Sequence, residues 1–248
     1  MAFMQIHFFS YTLGREVAVN ALIPQGAEHY KTLWLLHGLS DDHTAWQRYT
    51  TIEKVANEGG FAVVMPNVDR SFYTNMYHGD NYFDYIADEL PAVMRCFFRG
   101  MSDKREDNYI AGLSMGGYGA FKAALTYPER YAAACSLSGA LDIRYLYEDY
   151  GLERESFFIN IFGSLELFEG GENDVFALLE KDVKEGKELP YLQMACGMQD
   201  AILPCSDRFY KKAKELGVEI EYVQAEGNHN WTFWNEHIRR FTAHVCGK

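Results

Sequence analysis

Residues 109–125, YIAGLSMGGYGAFKAAL, set a single serine, Ser114, among four glycines and run on into an Ala-rich segment. The apolar run Asn108–Leu113 reads as a buried strand, and residues 114–127 read as a helix, which leaves almost no loop between them. A residue at such a turn must adopt strained backbone angles. Its neighbours two places before and after must lack bulk, because the strand and helix backbones approach closely there. Gly112 and Gly116 stand at those places, and Gly117, Gly119 and Ala120 extend the small surface along the helix. The pattern is G-x-S-x-G, the nucleophile elbow, which lifts a serine hydroxyl above the sheet edge at the positive end of a helix. Chance alone puts G-x-S-x-G in roughly one chain of this length in ten, and its position between a strand and a helix is far rarer.

Working outward, β-rich runs alternate with helical ones. FMQIHFFS (3–10) and REVAVNALIP (15–24) are separated by YTLG, which predicts a hairpin-like, antiparallel start to the sheet. The runs 32–37, 61–67, 108–113, 132–139, 191–197 and 219–227 follow, mostly continuous in apolar character, as expected of parallel strands buried on both faces. Helical patterns occupy 45–58, 82–99, 114–127, 205–216 and 231–245. The expectation is a single α/β domain over 1–248 with a mostly parallel eight-stranded sheet, helices on both faces, and ligands at the carboxyl ends of the strands. Residues 141–190 break the rhythm. They are long and rich in aromatics (ESFFINIFGSLELFEGG), and they read as an insertion or cap.

Composition narrows the function. The 248 residues are 48% hydrophobic and 23% charged, ordinary for a globular chain. A formal charge of −12 without a local Lys/Arg cluster argues against nucleic acid and anionic lipid as partners. No apolar run approaches the roughly 18–20 residues of a membrane span, and the N-terminus has no basic start followed by an apolar block, so a cytoplasmic chain is expected. The five cysteines are odd in number and lie mostly in apolar runs, which predicts reduced, buried thiols.

A serine hydroxyl needs a base, and the base needs an acid to orient it. After an elbow the partners follow in the order Ser, Asp, His, so of eight histidines only His229, His237 and His244 qualify. His229 lies in AEGNHNWTFW, a loop between the last strand and the last helix, while His237 and His244 fall on the helix itself. Asp200 follows the strand 191–197 directly; Asp207 is the fallback, inside the next helix. The oxyanion donors are the backbone N–H groups of Met115 and of Leu39, in HGLSDDHTAW. His37 reads as a turn residue. His43 beside Asp41 and Asp42 lacks the spaced partners of a metal site, so neither metal nor cofactor is expected. Trp46, Tyr73, Tyr77 and Trp231 are candidates for substrate contact, with Phe157, Phe158, Phe162 and Phe168 from the insertion.

The segments LLHGLSDDHTAW, NVDRSFYTNMYHG, AGLSMGGYGAFKAAL, CGMQDAILP and GNHNWTFW, in this order and spanning nearly the whole chain, resemble the esterase D-like branch of the α/β-hydrolases. That branch includes S-formylglutathione hydrolases, tributyrin esterases, and the feruloyl and acetyl-xylan esterases of carbohydrate esterase family 1. The resemblance implies the α/β-hydrolase fold, with Ser114 as nucleophile, Asp200 as acid, His229 as base, and Leu39 and Met115 as oxyanion donors. It implies a small-molecule ester as substrate, with a short acyl or hydroxycinnamoyl (feruloyl) group, including plant cell-wall phenolic or acetyl esters. S-formylglutathione hydrolysis and acyl transfer to another alcohol are the alternatives, with a non-catalytic binding protein on the same scaffold behind them, and a homo-oligomer is compatible with all of them. Asn228 and Asn230 around His229 depart slightly from the family's usual Gly-His-Asp/Glu-Trp-x-x-Trp.

Overall fold

The computed structural model describes residues 1–150 and 155–246. Eight strands form one sheet: β1 (Ala2–Ser10), β2 (Arg15–Ile23), β3 (Thr32–Leu36), β4 (Ala62–Pro66), β5 (Asn108–Leu113), β6 (Ala133–Leu137), β7 (Tyr191–Gly197) and β8 (Glu221–Ala225). Their order is β1-β2-β4-β3-β5-β6-β7-β8. β2 runs antiparallel to both of its neighbours, and every pair from β4 to β8 is parallel.

The central strands are buried along nearly their whole length and mostly apolar, because the pleat sends alternate residues into two different cores. Leu33 and Leu35 of β3 join Val63, Met65, Ala111 and Leu113 under the helices α1 (Ala45–Tyr49), α2 (Ile52–Gly59) and α11 (Trp231–Cys246). Trp34 and Leu36 join Val64, Ile110 and Met194 on the opposite face. That face carries α3 (Tyr82–Asp84), α4 (Leu90–Phe97), α5 (Met115–Thr126), α9 (Val175–Glu185) and α10 (Leu203–Glu215). Helix α5 is buried on every side from Met115 to Leu125, since it lies between the sheet and α9.

Two expected helices are interrupted, each for a local reason. The run 45–58 breaks at Thr50, whose backbone is extended and whose hydroxyl donates to the Trp46 carbonyl, the acceptor a continuing helix would need. The run 82–99 passes through a π-type turn, Tyr85–Glu89, before Pro91. Proline cannot donate to the Ala87 carbonyl, and Arg130 takes that carbonyl instead at 2.9 Å. Among the described residues, 141–190 hold four helices: α6 (Ile143–Tyr150), α7 (Glu155–Phe162), α8 (Leu165–Phe168) and α9. Of these, α9 packs on α5 and α10 as an ordinary crossover helix, capped by Asp174, which accepts from the Phe176 N–H at 3.0 Å. Cys135, Cys196 and Cys205 are buried thiols, but Cys96 is exposed, because it sits on the outer side of α4.

Candidate active site

β5 ends at Leu113 and α5 begins at Met115, so Ser114 alone makes the turn, at φ 53° and ψ −118°. Its N–H donates to the Leu137 carbonyl of β6 at 2.8 Å, and its carbonyl accepts from Tyr118 and Ala140, both at 3.1 Å. The glycine requirement is steric: a Cβ on Gly112 would lie 2.3 Å from the Gly116 oxygen, and one on Gly116 would lie 2.4 Å from the Leu36 oxygen. The neighbouring N–H of Met115 opens α5 and has no carbonyl four residues back within the helix.

The loop that carries Leu39 is fixed by buried His37 and half-buried Asp41. His37 accepts the Val68 N–H at Nε2 (3.1 Å), so its Nδ1–H donates to the Gly38 carbonyl (2.8 Å). Burial pushes its pKa down to about 4, so the ring is neutral and structural. Asp41 accepts the Gly38 N–H at 3.2 Å and closes the turn in which Leu39 faces the cavity. Burial raises the Asp41 pKa.

Asp200 lies in the turn after β7, its side chain fully buried. His229 Nδ1 is 2.9 Å from Asp200 Oδ2 and 3.1 Å from Oδ1. Donation from Nδ1–H leaves the Nε2 lone pair available as a proton acceptor. Burial opposes ionisation of Asp200. Hydrogen bonds and charge from His229, with hydrogen bonds from Ser138 and the Ile202 N–H, outweigh it and hold the carboxyl below its usual range. The loops carrying the pair are stitched together: the Gln199 N–H donates to the Gly227 carbonyl (3.0 Å), and the Gly227 N–H to Gln199 Oε1 (2.9 Å). The two asparagines beside His229 have local roles, Asn228 accepting the His229 N–H (2.8 Å) and Asn230 capping α11 through the Phe233 N–H (3.1 Å).

Ser114, Asp200, His229 and Leu39 line one partly open cavity of about 180 Å³, together with Phe72, Ala140, Leu146, Phe158, Ala201 and Ile202. Ser114 Oγ hydrogen-bonds no described residue and opens onto this space. Such serine–histidine contacts often tighten only when substrate is bound. Larger hollows of about 290 and 440 Å³ lie elsewhere and are lined by neither serine nor histidine.

The fallback Asp207 turns away, accepting from Tyr222 (2.8 Å) and Gln224 (2.6 Å). His237 is buried against Phe233, and His244 stacks on Tyr191. The four aromatics expected to touch substrate lie outside the lining of the cavity. Trp46 is buried, donating to the Leu36 carbonyl at 2.9 Å, and Tyr73 is fully buried, donating to the His37 carbonyl at 2.9 Å. Trp231 packs on Trp46 and Tyr49, while Tyr77 is exposed and packs on His78. Of the four insertion aromatics, Phe158 reaches the cavity; Phe162 and Phe168 are core, and Phe157 lies under Arg70. Phe72, Leu146 and Ile202 carried no sequence signal beyond being apolar, which most core residues share.

The match to a family model described as "Putative esterase" covers residues 10–244. An acetyl esterase of Caldicellulosiruptor saccharolyticus is 31% identical, with 96% of each chain covered. Among solved structures, fluorophosphonate-binding serine hydrolase F of Staphylococcus aureus superposes with a TM-score of 0.91 at 36% identity, over 100% of this chain and 99% of that one. An S-formylglutathione hydrolase from the same organism gives 0.88 at 35%, over 99% and 98%. With an open, mostly parallel sheet and an elbow serine that shares a cavity with a His–Asp pair, the chain belongs to this esterase family and is an α/β-hydrolase serine carboxylesterase.

Proposed function

We propose that the protein hydrolyses esters of short acyl groups, with Ser114 as nucleophile, His229 as general base and acid, and Asp200 orienting the imidazole. Ser114 Oγ attacks the ester carbonyl and passes its proton to His229 Nε2. The tetrahedral oxyanion rests on the N–H groups of Leu39 and Met115. Collapse expels the alcohol, which takes the proton from His229 and leaves an acyl-serine. Water, deprotonated by His229, adds to the acyl carbonyl and releases the acid and the free serine.

The observation that carries the acyl preference is the size and lining of the cavity. About 180 Å³ of mostly apolar space is little more than the ~150 Å³ cavity that takes a benzene-sized guest, and well below the ~300–1,000 Å³ of sites for drug-sized ligands. An acetyl to butyryl group fits beside Leu146 and Phe158, whereas a feruloyl group, with its substituted ring and propenoyl arm, needs more room.

The test is a set of initial rates on p-nitrophenyl acetate, butyrate and octanoate, methyl ferulate and S-formylglutathione. The expected order places acetate and butyrate well above octanoate and methyl ferulate. A higher kcat/KM on methyl ferulate or S-formylglutathione than on the acetate overturns the short-acyl reading. Added alcohol acceptors that captured most of the acyl group would make the protein a transferase.

A further inference from the structure

Ser138 lies one residue beyond β6 and takes no part in the chemistry described above, yet its environment is tightly determined. Its backbone is left-handed at φ 46°, a conformation that favours glycine, and its N–H donates to the Ala195 carbonyl of β7 at 2.7 Å. The side chain is completely buried. Its Oγ accepts the Trp234 indole N–H at 3.0 Å, and the hydroxyl borders the Asp200 carboxylate, helping to hold it ionised. Cys196 Sγ also borders the hydroxyl, but a carboxylate is the far stronger acceptor for its single proton. Trp234 in turn packs perpendicular to His229, with ring centroids 4.9 Å apart and planes at 89°. Strain kept at a fully buried polar residue points to a role that outweighs it.

We propose that Ser138 and Trp234 form a bracket that holds the Asp200–His229 pair: Ser138 fixes the carboxylate, Trp234 fixes both Ser138 and the imidazole plane, and neither touches substrate. They are positioning residues for the base. The inference rests on the reading of Ser114, Asp200 and His229 as the catalytic triad. Neither residue lines the cavity, so losing the bracket misplaces the imidazole and lowers kcat while KM stays near its original value.

The informative variants separate position from folding. Ser138→Gly removes the hydroxyl but suits the left-handed backbone, so relieved strain offsets part of the lost hydrogen bonding and the fold is retained. Trp234→Phe keeps a ring against His229 but loses the N–H. With p-nitrophenyl acetate, Ser138→Gly lowers kcat roughly 10- to 100-fold, the scale of one hydrogen bond to a charged group, with KM little changed. Trp234→Phe also lowers kcat, and the double variant falls by much less than the product of the two single losses. Wild-type kcat in both single variants, a change confined to KM, or losses that multiply fully would overturn the bracket. Ser114→Ala is measured alongside: turnover retained there overturns the triad reading itself, whereas a dead Ser114→Ala beside fully active Ser138→Gly and Trp234→Phe overturns the bracket alone.

Discussion

Ser114 carries both the chemistry and a conformational cost, since φ 53° with ψ −118° is a region that side chains other than glycine's rarely occupy. Ser114→Gly relieves that strain and removes the nucleophile. The expected result is a gain of about 1 kcal/mol in unfolding free energy by chemical denaturation, with esterase activity lost; a less stable variant would contradict the strain argument. His37 supplies a pH prediction. Its folded pKa of about 4 lies below the ~6.5 of an unfolded histidine. Between those values the unfolded chain takes up a proton that the folded one refuses. The neutral ring's contribution is therefore complete above about pH 6.5 and falls by roughly 3 kcal/mol as pH drops to about 4. Denaturation curves at pH 7 and pH 4.5 should show His37→Asn less stable at pH 7 but with a shallower acid slope; an unchanged slope would mean that another group sets it. Ser114, Asp200 and His229 could be singled out in the sequence because each stands at the end of a strand, in an order that the elbow restricts. Ser138 could not, since its value lies in contacts with Trp234 and Asp200, which are distant in the chain.

At the scale of elements, the contact between β3 and α5 sets the site. Gly116 lets the first turn of α5 lie directly against the Leu36 and His37 carbonyls, which also begin the loop that carries Leu39. A methyl group there meets backbone oxygens at 2.4 and 2.7 Å, and neither can yield as a flexible side chain would. Gly116→Ala is therefore expected to destabilise the fold by roughly 2–4 kcal/mol, or to prevent it from forming. A Tm within about a degree of the parent would show that the helix can shift without loss. The alternation of strands and helices was readable because strands buried on both faces are continuous apolar runs, as in TLWLL and AVVMP. The breaks at Thr50 and before Pro91 were not, because they depend on partners brought in by folding: the Thr50 hydroxyl at the Trp46 carbonyl, and Arg130 at the Ala87 carbonyl.

For the whole molecule, two apolar layers fix a sheet whose carboxyl ends gather loops from β3, β5, β7 and β8 around one small cavity. Among the described residues no helix is long and apolar enough to cross a membrane. The aromatics expected at the substrate illustrate what sequence cannot rank. Aromatic residues make up 15% of the chain, and Trp46 and Tyr73 sit near strand ends without facing the cavity, while Phe72 and Phe158 reach it only through tertiary packing. The central claim is an acyl-enzyme on Ser114, and the most direct measurement is to mix the protein with p-nitrophenyl acetate, quench in acid within the first turnovers, and map acetylated peptides by mass spectrometry. The account predicts one acetyl group on Ser114 that disappears as substrate is exhausted, with no adduct and no turnover in Ser114→Ala. Full turnover without that adduct, or a transient acetyl group on another residue, would contradict it.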